Sequence, residues 1–171
     1  MKKRTGLAIF AAMMLCGYVT TPRTPLMETE LTQPIPLTEL DYLALTVWAE
    51  ARGEGVQGMT HVASVIMNRV KSGKFGGHTI QGVVTKKKQF SCWNPGDPNR
   101  SKLTIEHMNS LPQNSPDGKA WVHAVMAARL ATTFKGDVTK GALYYHTHAV
   151  NPSWAAKMQT TAIIGNHVFL V

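Results

Sequence analysis

The chain has 171 residues, 44% of them hydrophobic and 16% charged. That is enough apolar material for one packed domain, which excludes wholesale disorder, and no glycine period, heptad array or long repeat points to a fibre or solenoid. The formal charge is +8; without Lys2, Lys3 and Arg4, 15 basic and 10 acidic residues still leave +5, so the body attracts polyanions such as nucleic acid, anionic lipid or an acidic wall polymer.

Residues 2–4 are Lys-Lys-Arg, and residues 6–19 carry no charge. A basic start before a short apolar stretch reads as an export signal, because a membrane span wants about 20 apolar residues. A core helix is the alternative. No small-residue cleavage site follows, so residues 1–20 are expected to act as a signal or an uncleaved signal-anchor. Residues 21–37 hold Pro22, Pro25, Pro34 and Pro36 among threonines, the composition of an extended linker. The folded domain is expected over residues 38–171.

Thr38 and Asp41 have the spacing of a capping box. Leu40, Leu43, Ala44, Val47 and Trp48 follow at helical intervals, and Gly53 and Gly55 should end that helix. A second helix is predicted from Val56 to Lys71, stopped by Gly73, Gly76 and Gly77. Residues 80–84 are a short apolar run, and residues 86–104 read as a loop. A third long helix is predicted over residues 116–133 behind Pro116 and Asp117. Residues 142–146 and 167–171 look like strands, with Tyr144, Tyr145, Val168 and Phe169. Helices early and short strands late give a mainly helical α+β domain.

Acidic residues are scarce, and two of them stand four apart in Trp48-Ala49-Glu50-Ala51-Arg52-Gly53-Glu54. Glu50 ends an apolar helix. Lost hydration there raises a carboxyl's pKa and lets it hold a proton near neutral pH, as a general acid toward a glycosidic oxygen must. The plainer reading is that Glu50 and Glu54 are solvated and paired with Arg52 or a lysine. Gln89-Phe90-Ser91-Cys92-Trp93-Asn94 mixes aromatic and amide groups suited to sugar rings and N-acetyl groups. Phe90 and Trp93 would equally serve to anchor a loop, and Tyr144 and Tyr145 would equally serve as core residues. His146 and His148 form an H-x-H pair with no Cys, Asp or Glu nearby, so no metal and no cofactor are expected. Lys86, Lys87 and Lys88 read as a solvated face or as a contact for anionic wall polymer. Cys16 and Cys92 are too few for a disulfide framework. They are either unrelated thiols or a regulatory pair that meets only once the N-terminal segment leaves a membrane.

The run from Ala44 to Glu54, continued by Gly58, Val62-Ala63-Ser64-Val65-Ile66 and Asn68-Arg69-Val70, resembles the SleB/CwlJ family of cell wall hydrolases. Gln89-Phe90-Ser91-Cys92-Trp93, Ala142-Leu143-Tyr144-Tyr145-His146, Pro152, Trp154 and Gly165-Asn166-His167-Val168-Phe169 extend the resemblance over residues 42–171. It implies a lysozyme-like single domain, related to lytic transglycosylases and acting on peptidoglycan glycan strands, with Glu50 as the catalytic glutamate. The short form with Gln-Phe-Ser-Cys-Trp is similar to phage and Gram-negative exported members.

The expected function is therefore cleavage of the β-1,4 bond between N-acetylmuramic acid and N-acetylglucosamine by an exported monomer, periplasmic or tethered to the inner membrane. Glu50 is the expected acid and Glu54 the candidate second carboxylate, with Asp97 and Glu106 as further acids in reach. Gln89, Phe90, Ser91, Trp93, Tyr144, Tyr145 and His146 are the expected substrate-binding residues. A chain short of a second acid favours the transglycosylase outcome, in which the sugar's own 6-hydroxyl replaces water, and a phage endolysin is the expected role. The alternatives are a wall-remodelling muramidase that uses water and an inactive wall-binding protein. Nucleic-acid binding rests on charge alone, and an export signal argues against it.

Overall fold

The computed structural model describes residues 36–134 and 136–171. The expectations for residues 1–20 and for the linker up to residue 35, Cys16 included, lie outside the described residues. Helix α1 (Glu39–Ala51) begins with the predicted capping box. The Asp41 amide donates to the Thr38 hydroxyl at 3.2 Å, and the Thr38 amide donates back to the Asp41 carboxylate at 2.8 Å. Every residue from Leu43 to Trp48 is buried. A helix apolar all round belongs in the middle of a core, and here the other elements wrap it.

Helix α2 (Gly55–Ser72) follows after a tight turn and ends at Gly73, whose φ of +69° suits a residue without a Cβ; its amide returns to the carbonyls of Arg69 and Val70. Helix α3 (Ile80–Thr85) is capped by Thr79, and the Glu39 carboxylate accepts from the Ile80 amide. Helix α4 (Ile105–Ser110) is capped by Thr104. Helix α5 (Pro116–Thr133) packs on both α1 and α2. Its inner face is Gly118, Ala120, Ala124, Ala127 and Ala128, small residues that let helix axes approach closely. Gly118 is required, because a Cβ there would collide with the Pro112 carbonyl. The Trp48 indole donates to the Asp117 carbonyl at 3.2 Å, tying α1 to the start of α5.

Strands β1 (Tyr144–Thr147), β2 (Thr160–Ile164) and β3 (His167–Leu170) form an antiparallel sheet in the order β1-β3-β2. Tyr145 lies opposite Phe169, and Thr147 opposite His167. With a period of two, Tyr145, Thr147, His167 and Phe169 share the inner face; the Phe169 ring meets His61 of α2 at 5.3 Å. Tyr144 and His146 therefore point to the outer face. The protein is a mainly helical single domain with three short C-terminal strands, as expected. Three elements were not anticipated. They are α3, which lies in the apolar run at residues 80–84, α4, and β2, whose pairing is broken by an irregularity between Thr160 and Ala162.

Candidate active site

Glu50 occupies the last turn of α1, with its carboxyl partly buried at the wall of a cleft of about 390 Å³. Three elements converge on it. From β1, the Tyr145 hydroxyl donates to Glu50 Oε2 at 3.0 Å. From the loop after α3, the Cys92 thiol stands beside the same carboxyl. From α2, the Arg69 guanidinium supplies positive charge. Burial pushes the Glu50 pKa up, and the Tyr145 hydrogen bond, the adjacent Cys92 thiol and Arg69 oppose it, while Asp97 adds to it; the net shift is upward. A carboxyl in that condition can carry a proton to a substrate at mild pH.

Arg69 is 7% exposed and is pinned on several sides. Its Nε donates to the Leu143 carbonyl at 2.8 Å, and one terminal nitrogen donates to Gln89 Oε1 at 3.1 Å. Its guanidinium carbon lies 4.9 Å from the centre of the Phe75 ring, 5.2 Å from Phe90 and 6.0 Å from Tyr144. Asn68 beside it donates to the Ala142 carbonyl at 3.1 Å. The Asn-Arg pair of α2 thus grips the two residues that lead into β1 and sets where Tyr145 arrives. These roles were missed in the sequence, where Asn68 and Arg69 figured only as a motif. An arginine on the apolar stripe of an amphipathic helix was the available signal.

Glu54 lies on the rim of the same cleft but in a different state. Oε2 accepts from the Asn166 amide at 2.8 Å and Oε1 from the Asn166 side chain at 2.9 Å. Slight burial raises its pKa, but the two Asn166 bonds, with help from His167 and His148, outweigh it and the net shift is downward. Glu54 thereby latches the β2–β3 turn to the start of α2. Gly165 in that turn has φ +56°, and a Cβ there would strike the Glu54 carboxylate. Arg52 does not pair with either glutamate; its Nε lies 3.8 Å from Asp117.

The loop of residues 89–93 is anchored rather than open. Phe90 is 1% exposed and packs in the core, and the Trp93 indole donates to the Thr46 hydroxyl at 2.8 Å. The expectation that these two rings lie along the substrate is corrected, because their burial serves to hold Cys92 and Gln89 in place. Cys92 is itself 1% exposed, and burial, with the negative charge of Glu50, pushes its thiol pKa up. Such a thiol is poorly reactive, which argues against Cys92 as a regulatory thiol in this state; its suggested partner Cys16 lies outside the described residues. Ser91 is exposed, and the oxygen of Gln89 is taken by Arg69. Of the expected substrate residues, Tyr145 alone touches Glu50. Gln89, Ser91, Tyr144 and His146 are not among the residues lining the cleft, which is instead closed by Thr147, His148, Asn166 and His167.

His167 is 4% exposed, and its Nδ1 has no hydrogen-bond partner among the described residues. Burial lowers its pKa, offset in part by Glu54. Its ring stands 5.2 Å from Tyr145 and lines the same cleft as Glu50. Of the other acids, Asp97 is close enough for its charge to raise the Glu50 pKa, while Glu106 is exposed on the first turn of α4.

With this geometry in hand, comparison with known proteins gives a consistent picture. The spore cortex-lytic enzyme of Oceanobacillus iheyensis is 27% identical over 135 residues, covering 77% of this chain and 41% of that protein. The spore cortex-lytic enzyme of Bacillus cereus is 27% identical over 132 residues, 77% of this chain and 43% of the relative. The chain thus spans about two-fifths of the length of these relatives. Among solved structures, the catalytic domain of Bacillus cereus SleB superposes with a TM-score of 0.52 at 27% identity, covering 81% of this chain and 94% of that one. The catalytic domain of the germination-specific lytic transglycosylase SleB from Bacillus anthracis gives 0.53 at 26%, covering 81% and 100%. The model of the cell wall hydrolase family matches residues 53–170, starting three residues after Glu50, so the role of Glu50 rests on its surroundings. That match takes in most of the domain, and the chain belongs to the cell wall hydrolase family.

Proposed function

We propose that this cell wall hydrolase cleaves peptidoglycan glycan strands between N-acetylmuramic acid and N-acetylglucosamine as a lytic transglycosylase, with Glu50 as both acid and base. The observation that carries the reading is a desolvated carboxyl at a cleft wall, kept in place by the Tyr145 hydroxyl at 3.0 Å. Protonated Glu50 gives its proton to the glycosidic oxygen as the bond to C1 of N-acetylmuramic acid breaks. The sugar passes through an oxocarbenium-like state. Glu50, now a carboxylate, takes the proton of the C6 hydroxyl as that oxygen bonds to C1. The products are a 1,6-anhydromuramyl end and a free 4-hydroxyl; no water is consumed, and Glu50 is protonated again.

The state of Glu54 supports this outcome. A water-using enzyme needs a second carboxylate free to act as base or nucleophile, at roughly 5–9.5 Å from the acid. Both oxygens of Glu54 are engaged by Asn166. The activity of the Bacillus anthracis relative, a lytic transglycosylase, points the same way. Asp97 is the acid that a hydrolytic route would have to recruit, since its charge reaches Glu50. Mass spectrometry of digested peptidoglycan tests the proposal. Anhydro ends support it, and reducing ends, heavier by one water, contradict it.

The proposal includes export and a phage endolysin role, in which residues 6–19 hold the enzyme at the inner membrane until lysis. Its support is the sequence of residues 2–19. Full-length protein moving from membrane to soluble fraction on collapse of the membrane potential is the expected result. Recovery of a shortened soluble form alone contradicts it.

A further inference from the structure

The outer face of the sheet carries an aromatic platform that the Glu50 cleft does not use. Trp154 sits in a 3-10 turn, Ser153–Lys157, and is 46% exposed. Its ring is fixed against β1, 5.8 Å from Tyr144 with planes at 41° and 5.8 Å from His146 with planes at 84°. Beneath the turn Ala155 is buried, and immediately after it Gln159 pairs in both directions with Val171 at 3.0 Å. A large, half-exposed indole is thus packed against the edge strand β1. His146 lies opposite Val168, which lies opposite Ile163, itself 64% exposed, so the apolar surface continues across the sheet.

The platform is continuous with the catalytic apparatus. Tyr144 packs edge-on against Phe75 at 5.6 Å and lies 6.0 Å from the Arg69 guanidinium carbon. Arg69 in turn acts on the charge of Glu50. Tyr144 and Tyr145 are adjacent in the chain and face opposite sides of β1, one toward Trp154 and one toward Glu50.

We propose that Trp154, backed by Tyr144 and His146, is a stacking subsite for a saccharide ring of the glycan strand, outside the cleft where the bond breaks. The inference rests on the glycan-cleaving reading above. A pyranose presents a flat face of C–H groups bounded by hydroxyls. The indole face matches the first, and polar groups at its margin match the second. His146 Nδ1 donates to the Thr147 carbonyl at 2.9 Å, which leaves Nε2 to bond a sugar hydroxyl. Binding energy gathered at a remote ring helps to hold the strand while the scissile bond is distorted.

The test uses the full chain carrying Glu50→Gln, so that substrate is bound without being cut, with peptide-free glycan strands as the probe in a sedimentation assay. Adding Trp154→Ala should weaken binding roughly tenfold, and Trp154→Phe should restore most of it. In the active enzyme Trp154→Ala should raise KM by a similar factor while the pH profile of kcat stays in place. A purely structural role would displace β1 and move that profile through Tyr145. Unchanged binding by Trp154→Ala, or a shifted pH profile without a change in KM, overturns the subsite. Wild-type digests that lack anhydro ends, with Trp154-dependent binding intact, would count against the transglycosylase reading and leave the subsite standing.

Discussion

Glu50 and Glu54 stand four residues apart, yet the protein holds them in opposite states. Glu50 ends a helix whose middle is wholly buried, and lost hydration raises its pKa more than the Tyr145 hydroxyl, the neighbouring Cys92 thiol and Arg69 lower it. Glu54 stands beyond the helix at a turn, where a backbone amide and a side-chain amide of Asn166 satisfy its charge. The difference teaches that function follows the environment and not the residue type. The desolvated carboxyl is the proposed acid, and the satisfied one joins two parts of the fold.

Removing the proton donor is the strongest way to probe that contrast. Glu50→Gln should lower wall cleavage by about 10²–10⁴-fold or more, with the fold intact. Stability should move the other way. A carboxyl whose folded pKa is raised favours folding below its unfolded pKa and loses that advantage as pH rises through the folded value. Glu50→Gln should therefore be the more stable protein at neutral pH in denaturant melts, with the gap closing toward acid pH.

Tyr145→Phe keeps the ring that packs on Phe169 and His167 and deletes the donor to Glu50. That hydrogen bond lowers the Glu50 pKa, so its loss should move the limb of the pH–rate profile set by Glu50 to higher pH. Activity at the optimum should fall about two- to tenfold, the worth of one hydrogen bond. A profile that moves to lower pH would break the assignment.

Glu54→Ala should act on stability more than on chemistry. It cuts the latch between α2 and the β2–β3 turn, and at this half-buried, solvent-accessible position the loss should be about 1 kcal/mol. Because its folded pKa is lowered, the stability it contributes is present above its unfolded pKa and is lost as pH falls through the folded value. The wild type and the Glu54→Ala variant should thus converge in acid, as the wild type and Glu50→Gln do, but from opposite directions. A rate loss as large as that of Glu50→Gln would instead make Glu54 a reacting group. The smallest effect belongs to Cys92, whose buried thiol should resist a thiol-modifying reagent until the protein unfolds.

Much of this was legible in the sequence where causes are local. Thr38 and Asp41 announce α1, Pro116 and Asp117 announce α5, and an apolar run before Glu50 announces a desolvated acid. Helix α3 was not legible, because its first amide is satisfied by Glu39, a residue 41 positions earlier. Strand β2 was obscured by the break in its alternation between Thr160 and Ala162. The loop of residues 89–93 was read for its chemistry, but whether Phe90 and Trp93 face sugar or core depends on Arg69 and Thr46, brought to them only by folding. Trp154 shows the converse, since its partners lie eight and ten residues away in sequence, yet nothing in the linear pattern says that its ring stays exposed.

The central claim, that two neighbouring glutamates are held in opposite states, is tested most directly by carboxyl-selective NMR titration of both groups in one sample of the wild-type protein, with Glu50→Gln and Glu54→Gln used to assign the signals. The account predicts that Glu50 titrates above an ordinary glutamate and Glu54 below it. Glu50 titrating at or below Glu54 would contradict it.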